Sequence, residues 1–288
     1  MNSSLPFTDP MNVQHIAAFS DGTRGGNPAG VVIGDALPPD AQMQQLATEL
    51  GYSESVFAAP QPGGGWRVRY FSPAAEVPFC GHATIALGAA LALAQGDGVF
   101  ELAINHARIT VAGRREGALV NAALQSPPTR SEPLAPALRA EALALLGLTG
   151  DDLDPRLPPA LAHGGADHVV LALRTRAALS GMRYDFDAGR ELMQRAGLAT
   201  IALVHAETDR RFHARNPFAG GGVYEDPATG AAAAALGGYL RDRGWPHGGA
   251  IDIVQGEDMG VVCRLHVDIP PEPGASVRVS GTARMISA

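Results

Sequence analysis

Apolar residues along this chain follow two kinds of pattern. From Trp66 to Phe71 they alternate like a strand, with Trp66, Val68 and Tyr70 on one face and Arg67, Arg69 and Phe71 on the other. From Ile85 to Ala94 no polar face exists, and a helix apolar all round must be surrounded by protein. Between them lies Cys80-Gly81-His82, where the first N–H groups of that helix have no intrahelical partner. Such a helix start, beside a histidine and a cysteine, is a natural seat for a carboxylate.

The same reading applied in order predicts a loose extension over residues 1–10 and a strand from Val13 to Phe19. A glycine-rich turn over Gly25–Gly30 leads into a short strand, Val31–Ile33. Asp40 is placed to cap a helix whose inner face is Met43, Leu46, Ala47 and Leu50, with Gly51 ending it. Strands follow at Ser55–Ala58, Val99–Ala103, Arg108–Ala112 and Ala118–Leu124. Proline-rich stretches at Ser126–Pro136 and Pro155–Pro159 flank an apolar helix over Leu138–Leu146 and mark the best domain boundary.

Beyond that boundary the first half repeats. Asp187 caps a helix carrying Leu192, Met193 and Ala196 and ending at Gly197; strands follow at Ile201–Val204 and Arg211–Arg215. A second helix apolar all round, Ala231–Leu240, comes after Glu225-Asp226-Pro227-Ala228-Thr229-Gly230. Gly51 and Gly197, Ser55 and Ile201, Arg69 and Arg215, and Cys80 and Asp226 each lie 146 residues apart. The expected fold is therefore α+β: two pseudo-symmetric halves, each a curved mixed sheet around a buried central helix. Residues 11–125 with 276–288 form the first half and 126–275 the second. The two helix starts face each other across a cleft.

Composition narrows the chemistry. All 22 basic residues are arginine, so reactions that need a lysine amine are excluded, among them pyridoxal phosphate chemistry, Schiff-base aldol cleavage and a Walker-type phosphate loop. No Gly-x-Gly-x-x-Gly, His-Glu-x-x-His or Gly-x-Ser-x-Gly occurs. Two cysteines make neither a metal spacing nor a disulfide framework, and the pair His163 and His168 across a glycine-rich loop is set aside as a metal site. A net charge of −7 speaks against a nucleic-acid partner. The longest apolar run is too short to span a bilayer, and the first residues do not read as a signal peptide. The expectation is a cytoplasmic enzyme with no cofactor, no metal and no membrane partner.

Cys80 and Asp226, at equivalent places, would approach a ligand from opposite sides, which suits removal and return of a proton at carbon. Each has a plainer reading. Cys80 is a small hydrophobe, and Asp followed by Pro is favoured at a helix start. His82 either contacts substrate or caps its turn. Glu54 on position alone is a solvated loop carboxylate, and Glu76 is similar, a structural partner for an arginine.

Taken together, Gly26-Asn27-Pro28-Ala29, Ser53-Glu54-Ser55, Glu76-Val77-Pro78-Phe79-Cys80-Gly81-His82-Ala83-Thr84 and Glu225-Asp226-Pro227-Ala228-Thr229-Gly230 resemble the PhzF-like family over Val13–Ala283. That family is related to phenazine-biosynthesis isomerases and shares the fold of diaminopimelate epimerase. The resemblance implies a cofactor-independent isomerase moving a proton on a small unsaturated or hydroxylated carboxylic acid. It makes Glu54 the base, with His82 and Asp226 as the other catalytic residues and Asn27, Cys80, Gly81, Thr229 and Gly230 binding substrate. Related epimerases and racemases use a cysteine at each helix start; here Cys80 stands at one and Asp226 at the other, which favours a proton shift. An amino-acid epimerase or racemase is the alternative, and a non-catalytic ligand-binding or scaffold protein is the alternative of another class. A homodimer is the expected assembly.

Overall fold

The computed structural model describes residues 11–287. The alternating segments form strands that hydrogen-bond into one mixed network. In the first half these are β1 (Val13–Ser20), β2 (Asn27–Ile33), helix α1 (Asp40–Leu50), β3 (Glu54–Pro60), β4 (Trp66–Phe71), β5 (Glu76–Val77), helix α2 (Gly81–Gln95), β6 (Gly98–Ala103), β7 (Arg108–Glu116) and β8 (Leu119–Pro128). The second half holds β9 (Arg130–Pro133), α3 (Pro136–Leu146), β10 (Ala160–His163), β11 (Asp167–Ala172), α4 (Arg176–Ser180), α5 (Phe186–Ala196), β12 (Thr200–Ala206), β13 (Arg211–Pro217) and β14 (Glu225–Asp226). Helix α6 (Gly230–Asp242), β15 (Ala250–Gln255), β16 (Cys263–Asp268) and β17 (Ser276–Met285) follow.

Pairing closes the first set of strands upon itself. β1 pairs with β2, β2 with β3, β3 with β4, β4 with β6, β6 with β7, β7 with β8, β8 with β17, and β17 with β1. This eight-strand ring encloses α2, whose residues Gly81–Ala92 are buried. A closed ring leaves no polar surroundings for the helix, which is why its sequence lacks a polar face. Only at its end does the chain reach solvent, with Leu93 45% exposed. The second set runs β9–β10–β11–β12–β13–β15–β16 and joins β17, wrapping α6, buried from Gly230 to Arg241.

Parallel pairs recur in the same places: β2 with β3 and β4 with β6, then β11 with β12 and β13 with β15. In each set the second of these crossovers is the central helix. Gly51 and Gly197 both end their helices at left-handed φ, 65° and 66°. Among the described residues no helix is long and apolar enough to cross a membrane.

Several local expectations are corrected. Asp40 is the first residue of α1 rather than its cap; it pairs instead with Arg69. Leu46 and Leu50 are only partly buried there, the inner face being Met43 and Ala47. The cap of α5 is Asp185, whose side chain accepts from the Ala188 N–H, not Asp187, and Ala196 is exposed. The turn expected over Gly25–Gly30 is shorter, because Asn27–Gly30 already pair with β1. Within the proline-rich stretch, Ser126–Pro128 continue β8 and Arg130–Pro133 form β9. The extension expected over residues 1–10 lies outside the described residues.

Candidate active site

The starts of α2 and α6 meet. A Cβ placed on Gly81 would lie 2.5 Å from the Gly230 Cα, so only glycine permits this approach. Cys80 and Thr229 are the residues before each first turn. The first N–H groups of both helices therefore converge on one region, with the positive ends of both helix dipoles.

This contact corrects the register of the duplication. The loop between Phe71 and Glu76 is three residues shorter than the loop between Pro217 and Glu225. Beyond it the offset is 149, so Glu76-Val77-Pro78-Phe79-Cys80-Gly81 matches Glu225-Asp226-Pro227-Ala228-Thr229-Gly230. Strand pairing agrees: Tyr70 opposes Val77 as Asn216 opposes Asp226. The counterpart of Cys80 is thus Thr229, and that of Asp226 is Val77. Asp226 sits in β14, ahead of the helix, and is not its cap. Neither reading changes one conclusion: the second helix start carries no cysteine.

Glu54 opens β3, whose alternate residues Val56 and Ala58 join the core around α2. The side chain is therefore drawn inward rather than solvated. Its Oε2 is buried without a hydrogen-bond partner and lies 3.7 Å from the His82 Nδ1. The same Nδ1 is 3.2 Å from the Cys80 Sγ, and His82 Nε2 is 3.5 Å from the Ser53 hydroxyl. On the other side, Asn27 donates to Asp226 Oδ1 at 2.6 Å, and the Thr229 hydroxyl donates to Asp226 Oδ2 at 2.6 Å. Ser53 donates to Asn27 Oδ1 at 3.2 Å, linking the two sides.

Burial and charge set the protonation states. Desolvation, reinforced by the Asp226 charge, pushes the Glu54 carboxyl well above its ordinary 4.5. Desolvation raises Asp226 to about 6, opposed by its donors Thr229 and Asn27. Donors at both Asp226 oxygens offset more of its burial than the hydrogen bonds at Glu54 offset there, so Glu54 is the stronger base of the two. Burial lowers His82 to about 3, so its ring is neutral at physiological pH. Burial and the two carboxylates raise the Cys80 thiol, which keeps its proton.

Glu54, Cys80, His82, Asp226, Thr229, Gly81 and Gly230 all line one cavity of about 530 Å³. Asn27 is behind it, holding Asp226. One substrate-binding expectation is corrected in detail: the Thr229 N–H already donates to Gln255 Oε1 at 3.1 Å, leaving Gly81, His82, Gly230 and Ala231 to offer first-turn N–H groups. Glu76, as expected, pairs with Arg69. Ligand atoms of Glu54, Cys80 and His82 lie within 4.8 Å of one another and could converge on a soft cation once the thiol ionised. The buried, carboxylate-flanked thiol opposes that ionisation.

Sequence reasoning missed Gln255, which donates to the Asp226 carbonyl and to Thr229 Oγ1 from a strand that carries no motif. Ser53 is legible in the sequence only as part of Ser53-Glu54-Ser55. His168 and Thr200, from β11 and β12, also line the cavity.

Comparison with known proteins places this arrangement. The family model "PhzC-PhzF: Phenazine biosynthesis-like protein" matches residues 16–288. The trans-2,3-dihydro-3-hydroxyanthranilate isomerase of Pseudomonas aeruginosa is 35% identical over 271 residues, covering 92% of this chain and 91% of its own. An uncharacterized isomerase, YddE, of Escherichia coli is 32% identical over 287 residues, 94% of this chain and 95% of its own. The solved structure of a predicted epimerase from Pseudomonas aeruginosa superposes with a TM-score of 0.85 at 24% identity, covering 96% of this chain and 97% of that one. A helix start bearing Cys-Gly-His, a second bearing Thr-Gly, and a match running almost end to end make this chain an isomerase of the phenazine biosynthesis-like PhzC-PhzF family.

Proposed function

We propose that the enzyme shifts a proton between two carbons of a small unsaturated or hydroxylated carboxylic acid, with Glu54 as general base. The observation that carries this reading is the buried, unpartnered Glu54 Oε2 beside two converging helix starts. The substrate carboxylate sits on the N–H groups of Gly81, His82, Gly230 and Ala231, which take its charge without a cationic side chain. Ionised Glu54 removes a C–H proton, and the electron pair spreads into the conjugated system. The Glu54 carboxylic acid then returns that proton to another carbon, so the double bond moves and the composition is unchanged. A raised pKa makes the ionised form a stronger base.

Asp226 has both carboxylate oxygens engaged by donors, which suits a fixed anion better than a proton carrier. It holds Asn27 and Thr229 in place and raises the basicity of Glu54. Neutral His82 orients the substrate and hydrogen-bonds developing charge. The division into residues 11–125 with 276–288 and 126–275, and assembly as a homodimer, belong to the same proposal.

The test is turnover in deuterated water of trans-2,3-dihydro-3-hydroxyanthranilate, the compound in the relative's name, together with a panel of small unsaturated and hydroxylated acids. A moved double bond with label or retained proton at the new carbon supports the reading. Label entering with inverted configuration at an unmoved carbon points to an epimerase instead. No exchange with any acid, alongside binding, points to a ligand-binding protein.

A further inference from the structure

The second half of the duplication carries its own polar layer. At the mouth of the first half, Ala29, Glu54 and Tyr70 face inward on β2, β3 and β4, with Ala29 opposite Glu54. The offset of 146 puts Thr200 at the place of Glu54 and Asn216 at the place of Tyr70. In the matching parallel pair His168 opposes Thr200, so His168 takes the place of Ala29. All three are buried: His168 is 1% exposed, Thr200 2% and Asn216 1%.

Hydrogen bonding within this layer fixes the histidine tautomer. The Thr200 hydroxyl donates to Asn216 Oδ1 at 3.0 Å. Its single proton is then spent, so the contact of 2.8 Å with His168 Nδ1 requires that Nδ1 carry hydrogen and donate. Burial pushes the ring down to about 3, so it is neutral and its Nε2 is a bare lone pair. That Nε2 is buried without a partner. Five side-chain polar atoms among the described residues share that condition, and only Glu54 Oε2 and His168 Nε2 belong to residues lining the cavity. A buried acceptor left unpaired is costly unless a ligand supplies its donor.

We propose that His168 is a substrate-binding residue whose Nε2 accepts a hydrogen bond from a hydroxyl or amino group of the substrate. The first half then supplies the base and the second half reads a donor group on the same molecule. His168 acts as a selector for acids bearing such a group. This proposal rests on the carboxylate seat described above.

Calorimetric titration tests it with benzoate, with ortho- and meta-hydroxybenzoate and aminobenzoate, and with their O-methyl and N,N-dimethyl counterparts. Wild type should favour a donor-bearing acid over its methylated counterpart by about five- to tenfold, the worth of one hydrogen bond. His168→Leu should erase that preference while still binding benzoate, and His168→Gln, which restores an acceptor, should keep part of it. Nitrogen NMR of the free enzyme should give a pyridine-type Nε2 that shifts when the favoured acid binds. Benzoate bound with no donor preference, a preference unchanged in His168→Leu, or a protonated Nε2 in the free enzyme would each overturn the His168 assignment alone. Failure of benzoate to bind wild type would overturn the carboxylate seat and this proposal with it.

Discussion

Replacing Glu54 by glutamine separates its chemical role from its structural cost. A positioned general base contributes about 10²–10⁴-fold, or roughly 3–5 kcal/mol of barrier, and Glu54→Gln should lose that amount in kcat. Stability should move the other way. The folded group titrates well above 4.5 because it is buried beside Asp226. A carboxyl with a raised folded pKa favours folding below its unfolded value and loses that contribution as pH rises through the folded value. Wild type should therefore lose stability across that window, by about 1.4 kcal/mol for each unit separating the two values. Glutamine does not titrate, so the melting temperature of the variant should overtake that of wild type increasingly from pH 4.5 upward. Thermal unfolding followed by circular dichroism at several pH values measures one half, and deuterium exchange into substrate the other. Wild-type turnover in the variant, or parallel melting curves for the two proteins at every pH, would refute the reasoning.

Four further substitutions bear on the same frame. Asp226→Asn removes the charge that helps raise Glu54, so the acidic limb of kcat/KM against pH should move to lower pH; an unmoved limb would deny the coupling. Gly81→Ala puts a methyl group 2.5 Å from Gly230 and must part the two helix starts, costing about 1–3 kcal/mol and about 10²-fold or more in activity, read by melting and turnover together. Arg215 and Glu225 form a buried two-contact pair, whereas the equivalent Arg69 and Glu76 are more exposed and Arg69 keeps Asp40. Glu225→Ala should cost about 3–5 kcal/mol by denaturant unfolding and Glu76→Ala about 1 kcal/mol or less, equal costs being the contrary result.

What the sequence discloses follows from how locally each feature is encoded. The two central helices are legible because an all-apolar helix has a single solution, burial on every side. Their strands are legible from alternation, but the closing pair β8 and β17 is not, since Val120 meets Ala283 with no local signal. The repeat is visible up to Arg69 and Arg215 and then slips, because an offset counted on residues cannot see that one loop holds three more of them. Cys80 stands out by residue type, yet burial leaves it a protonated thiol. Glu54 is the reverse case: a glutamate at a strand start reads as solvated, and only a family resemblance raises it. Its desolvation is a property of the assembled ring, as is the bond between Asn27 and Asp226 across 199 residues.

The corrected register also bears on stereochemistry. A site that inverts a carbon needs a proton carrier on each face, which a duplicated fold would supply most simply by equivalent residues in the two halves. Here equivalence is broken at each place that matters. Glu54 corresponds to Thr200, Asp226 to Val77, and Cys80 to Thr229. Each half contributes one carboxylate, but at non-equivalent positions and in different surroundings: Glu54 has Oε2 unpartnered, and Asp226 is engaged at both oxygens. Donors on both oxygens favour the Asp226 anion, whereas Glu54 Oε2 is buried without one. On the proposed mechanism the proton taken from substrate rests on Glu54, and the group that removed it is the one that returns it. That asymmetry favours migration along one face of a conjugated acid over exchange between two faces of a single carbon.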